Sequence, residues 1–105
     1  MDQNEVLTVL SAFRAALDRR GVADARLVLY GSYAQGNARD ESDIDVVVIS
    51  ETFEGLSFWD RTDVLARATL EVWGEPIEAV ALTPSEWENG ESVVVGYARN
   101  GVEVG

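Results

Sequence analysis

The chain has 105 residues, eight basic residues (all Arg), nineteen acidic ones and a formal charge of −11. It has no Cys and no His, which excludes disulfide scaffolds, thiol chemistry, zinc fingers and His-assisted nucleophiles. The acid–base and metal chemistry that remains belongs to carboxylates, which favour hard cations such as Mg²⁺, Mn²⁺ or Ca²⁺.

Residues 4–20 carry Val6, Leu10, Phe13 and Leu17 at helical spacing, with Gly21 as a stop. Arg26 to Tyr30 predicts a short buried strand that ends at Gly31, where a turn of helix begins. Asp43 to Ser50 predicts a second strand, polar at its start and β-branched afterwards. A helix follows over Ser57 to Trp73, with Ser57 and Asp60 at capping spacing and Gly74 and Pro76 as terminators. Pro76 to Leu82 predicts a third strand, and Thr83-Pro84-Ser85-Glu86 caps a short helix. Ser92 to Asn100 fits either a strand, by its three valines, or a helix stopped by Gly101. The expected architecture is α/β (or α+β): one domain over residues 1–105, a small sheet and helices on one face of it.

The chemistry concentrates between Gly31 and Asp45. Asp43 and Asp45 stand two apart at a strand start, so their side chains leave the same face, with Cα atoms roughly 6.5 Å apart. Two carboxylates so close repel unless a cation or a shared proton compensates. Upstream, Gly31 permits an unusual backbone and close ligand approach, and Ser32 is placed to cap a helical turn whose free N–H groups face an anion. An anion nest beside a dicarboxylate suits a metal-bridged polyphosphate. Glu78 interrupts an apolar strand, where a carboxylate is costly without a partner. If the third strand lies beside the second, Glu78 joins the two aspartates. Alone, each feature has a plainer reading: a strand-to-helix cap, a solvated strand start, or an edge-strand carboxylate facing water. Trp59, Trp73 and Trp87 are better read as core or interface anchors than as base-stacking platforms, Tyr33 as a loop aromatic, and Asp40 with Glu41 as a solvated loop pair.

Gly-Ser, ten residues, then Asp-x-Asp ahead of a β-branched run resembles the signature of the DNA polymerase β-like nucleotidyltransferase superfamily. The "SDID" form and short length resemble its minimal nucleotidyltransferase branch, the antitoxin half of pairs with HEPN-domain toxins. The leading helix, "GEPIEAV" and "ARNGVEV" extend the likeness over nearly the whole chain. The resemblance implies a mixed sheet of the polymerase β-like fold. It implies nucleotide binding by Gly31 and Ser32, with Arg39 as the motif's only cation, and catalytic, Mg²⁺-binding roles for Asp43, Asp45 and Glu78, with two ions expected. It implies AMP transfer from ATP to a Tyr hydroxyl of the HEPN partner. Two positions depart from the pattern: Glu78 replaces a usual Asp, and Gln35 stands where Arg is frequent. A second reading is an antitoxin of the same fold that silences its toxin by binding alone, and a third is a transferase acting on a small molecule.

Other expectations follow from the whole chain. No apolar run approaches the ~18 residues that span a bilayer, and the first ten residues are acidic where a signal peptide is basic, so the expected setting is cytoplasmic. The charge opposes direct nucleic-acid binding and suits a basic partner. At this length the acceptor is expected from another chain, in a hetero-oligomer.

Overall fold

The computed structural model describes residues 1–39, 41–72, 74–90 and 92–104. In chain order it contains α1 (Gln3–Arg19), β1 (Arg26–Tyr30), α2 (Ser32–Gln35), β2 (Ile44–Ile49), a 3₁₀ turn (Glu51–Phe53), α3 (Phe58–Leu70), β3 (Ile77–Leu82), α4 (Pro84–Asn89), α5 (Val93–Ala98) and β4 (Val102–Val104). Among these residues, no helix is long and apolar enough to cross a membrane.

The helix starts are written in the sequence. Asp2 caps α1 by accepting from the Glu5 N–H at 2.8 Å, while the Glu5 carboxylate accepts from the Asp2 N–H. Ser57 accepts from the Asp60 N–H to begin α3. Thr83 and Glu86 form the full reciprocal box on α4, with Pro84 in the first turn, where its missing N–H has no helical partner to lose. The α3 helix closes at Leu70 rather than at Trp73: the Glu71 N–H turns back to Ala68, and Trp73 lies outside the described residues. The ambiguous segment is helix α5. Its valines favour strand, but Ser92 caps it through the Val94 N–H, and Val95 and Ala98 bury on one side.

The sheet order is β3-β2-β1-β4. β2 runs antiparallel to β1 and parallel to β3, and β4 adds antiparallel to β1. β4 went unrecognised in the sequence, since three residues carry little periodicity. The mixed α/β class holds, but the helices do not keep to one face. On the first face, Leu27, Leu29, Val46 and Val48 pack with Val6, Leu10, Phe13 and Leu17 of α1 and with Leu65 and Ala68 of α3. On the second, Val28, Val47 and Ile49 pack under Trp87 of α4 and Val95 and Ala98 of α5. The physical reason lies in β2. Its residues from Val46 to Ile49 are all buried, which requires cover on both sides of the strand.

Candidate active site

The site begins at the C-terminal end of β1. Gly31 has φ +76° and ψ −153°, a region that only glycine adopts at low cost. A Cβ at Gly31 would overlap Oδ2 of Asp45. The glycine therefore makes room for Asp45 itself, a closer constraint than ligand approach. Gly31 also fills the N-cap position of α2, with no side chain capping the turn. The expectation that Ser32 caps is thus corrected: Ser32 is the first helical residue, one place too late for its hydroxyl to serve the cap. The first intrahelical bond runs from the Gln35 N–H to the Gly31 carbonyl, 3.1 Å. The N–H groups of Ser32, Tyr33 and Ala34 precede it, as in any first turn. Tyr33 is not a loop aromatic but a buried member of the main core.

Asp45 stands in β2, and Asp43 immediately precedes the strand. In the parallel register Asp45 pairs with Glu78, so these side chains lie side by side on one face of the sheet. Asp45 and Glu78 thus lie together at one end of the β2–β3 ladder, and Asp43, two residues before Asp45, is near enough for its charge to act on Asp45. Asp45 is half-buried, whereas Asp43 and Glu78 are exposed. Burial is the largest cause that pushes the Asp45 carboxyl above its ordinary value. The charges of Glu78 and Asp43 add to it.

Tyr30 is the residue that sequence reasoning missed. It pairs with Asp45 across β1 and β2, so Tyr30, Asp45 and Glu78 form a row over three strands. Burial, then the charges of Asp45 and Glu78, raise the phenol above its usual value. The only signal in the sequence is its place just before Gly31, which acquires meaning once the antiparallel register is known.

Arg39 sits in the exposed loop after α2. Its N–H donates to Ser42 Oγ at 2.8 Å, and Tyr33 donates to its carbonyl at 3.5 Å. It is not among the charges that act on Asp45. Gln35 is exposed at the end of α2. Trp87 is buried in the second cluster, Trp59 is exposed, and Asp40 lies outside the described residues.

Among the described residues, no group of three or more acidic side chains is placed so as to hold a metal ion. The donor set nevertheless fits a hard divalent cation. It offers oxygen ligands alone, and the Asp45 carboxyl is raised by burial and by neighbours whose charge such a cation would offset.

A family model described as "Nucleotidyltransferase domain" matches residues 10–97, and the chain belongs to that family. Two crystal structures are similar. One is a protein from Sulfolobus solfataricus, provisionally assigned as a nucleotidyltransferase; it has a TM-score of 0.72 and 17% identity, and the match covers 96% of this chain and 80% of the other. The second carries the same provisional assignment; it has a TM-score of 0.64 and 26% identity, and the match covers 91% of this chain and 97% of the other. Among curated proteins, none matches the sequence significantly. The fold is that of the nucleotidyltransferases, and the acidic cluster lies on its sheet.

Proposed function

We propose that the chain transfers AMP from ATP to a hydroxyl of a partner protein. The partner is a HEPN-domain toxin, the acceptor is a Tyr hydroxyl, and the chain acts as the toxin's antitoxin in a cytoplasmic hetero-oligomer. The observation that carries this reading is the pairing of Asp45 with Glu78 beside the Gly31 turn, two residues from Asp43, in a chain of the nucleotidyltransferase family.

In this reading Asp43, Asp45 and Glu78 hold Mg²⁺, two ions when fully loaded. When bound, the metal offsets the negative charge of the triphosphate and of the leaving pyrophosphate. The first-turn N–H groups at Ser32 receive phosphate oxygens, and Arg39 swings its guanidinium onto the same group. Gly31 keeps that backbone close to Asp45. Glu78, exposed at the sheet edge, accepts the proton of the incoming hydroxyl. The hydroxyl oxygen bonds to the α-phosphorus, and the bond to pyrophosphate breaks. The partner's hydroxyl arrives with its own chain, and the charge of −11 favours a basic partner surface.

The second reading is an antitoxin of the same fold that acts by binding alone; the departures at Glu78 and Gln35, which weaken the geometry for transfer, favour it. Intact-mass measurement separates the two. The chain is incubated with ATP, Mg²⁺ and the protein encoded beside it. AMP added to that protein, and lost in Asp43→Ala/Asp45→Ala, supports transfer. Neutralisation that survives the double change with no mass added assigns the function to binding.

A further inference from the structure

β3 is an edge strand, since the sheet order ends there. The polarity of its backbone follows from its ladder. Pro76 and Leu82 offer their carbonyls inward, to the N–H groups of Ile44 and Ser50, at 2.7 and 3.0 Å. In a parallel ladder a residue directs both its N–H and C=O to the same neighbour, so Glu78 and Val80 also face β2. Ile77, Ala79 and Ala81 therefore point outward. Ile77 spends its N–H on the Glu75 carbonyl, and the Arg61 guanidinium reaches the Ala81 carbonyl at 3.5 Å. Among the described residues, no contact of this kind covers Ala79.

Exposed edges are usually blunted by Pro, Lys, a bulge or a covering element. From Ile77 to Leu82 this edge carries no proline, lysine or arginine, and its Ala79 and Ala81 side chains are too small to screen the backbone. A trough runs along it against α3. A cavity of about 570 Å³ lies at the Leu82 end, lined by Leu56, Phe58, Leu65 and Ala81. A second of about 410 Å³ lies at the Ile77 end, shares Thr62, Leu65 and Ala79 with the first, and includes Glu78. Phe58, Trp59 and Leu70, at the two ends of α3, are 70%, 75% and 65% exposed.

We infer that β3 is a docking edge for an extended, basic segment of a partner protein, which joins the sheet as a fifth strand. Main-chain bonds to Ala79 and to the Ala81 N–H would supply the register, and alternate side chains would enter the trough against α3. Charge selects this occupant over a second copy of the chain. Pairing two β3 edges would oppose two molecules of charge −11 and set Glu78 against its own kind. A basic strand meets Glu78, Asp45 and Asp43 instead. The geometry also serves the active site. Strands lie about 4.8 Å apart, so the residue opposite Glu78 extends the row of Tyr30, Asp45 and Glu78 by one place on the same face. A hydroxyl there is delivered to the carboxylates. That last consequence rests on the proposed transfer reaction; the docking edge does not.

The test uses the whole chain, labelled for amide NMR, and a synthetic peptide of alternating Arg and Val with a central Tyr. The control is the same peptide N-methylated at every second residue, which keeps its charge but cannot pair. Saturable shifts over residues 77–82, slowed exchange at the Ala79 and Ala81 amides, and binding about tenfold or more weaker for the control are expected. Ala79→Pro removes only an outward N–H and should reproduce the loss against the unmodified peptide. Equal affinity for both peptides, or shifts scattered over the acidic surface without β3, overturns the proposal. Pairing without transfer of AMP to the Tyr from added Mg²⁺-ATP leaves the docking edge standing and removes its link to catalysis. Equal transfer to both peptides removes the docking edge and keeps the chemistry.

Discussion

On one face of the sheet, Leu27, Leu29, Val46 and Val48 are sealed under α1 and α3, and Phe13, Leu10 and Leu17 are fully buried there. On the other face, Val28, Val47 and Ile49 are covered by Trp87 and α5, but the same strands continue past that cover into Tyr30, Asp45 and Glu78. Period-two alternation builds both faces from the same few residues. The first gains stability from dry apolar contact. The second gathers like charges at its open end, which costs stability in the absence of a cation. The comparison teaches that adjacent positions in β2 have opposite duties: Val46 holds the fold, and Asp45 is held by it.

The contrast can be broken from either side. The largest expected effect is on the sealed face. Phe13→Ala removes a fully buried ring between α1 and the sheet and should cost about 3–5 kcal/mol in denaturant unfolding. A cost below that range would mean α1 is not the main clamp. Next comes the junction of the two faces. Gly31→Ala forces a side chain into a backbone region it resists and into the space of the Asp45 carboxylate. It should cost about 1–3 kcal/mol in the same measurement and displace Asp45. A crystal structure of that variant with Asp45 unmoved would contradict the steric argument.

The smallest effect, and the one of opposite sign, is expected at the acidic end. Native Asp45 keeps its proton to higher pH than an unfolded aspartate does. Stability should therefore fall as pH rises from the ordinary carboxylate range through the raised value of Asp45. In chelator, Asp45→Asn should raise Tm slightly at neutral pH, with the gain vanishing below the ordinary carboxylate range. Glu86 runs the other way. Burial pushes it up, but the Thr83 N–H and the Arg61 guanidinium at 2.7 Å outweigh that and hold it low. Its contribution is present above the ordinary range and lost on acidification. An Asp45→Asn gain that persists in acid would place its cause elsewhere than in charge.

The parts of this arrangement that depend on short range were open to reading from the sequence. The caps at Ser57 and Thr83, the stripe on α1 and the closeness of Asp43 to Asp45 all rest on spacings of two to four residues. The union of Glu78 with Asp45 required the order of the strands, and family resemblance supplied it where periodicity could not. Tyr30 escaped because its neighbour is fifteen positions away in sequence, and only the antiparallel register joins them. The second helical layer escaped although its signal was present. A strand with four successive apolar residues, Val46 to Ile49, implies cover on both sides, but α4 and α5 are only six residues each and carry too little periodicity to show it. The fate of Ser92 to Asn100 was undecidable locally, since the strand preference of its valines yields to the Ser92 cap and to the packing of Val95 and Ala98.

Calorimetric titration with Mg²⁺ and a non-cleavable ATP analogue addresses the acidic row directly, in the wild-type chain and in Asp45→Asn. Uptake by the wild type that is lost in the variant is the predicted result. No uptake by either protein, or equal uptake by both, would contradict the assignment of these carboxylates to a nucleotide–metal site.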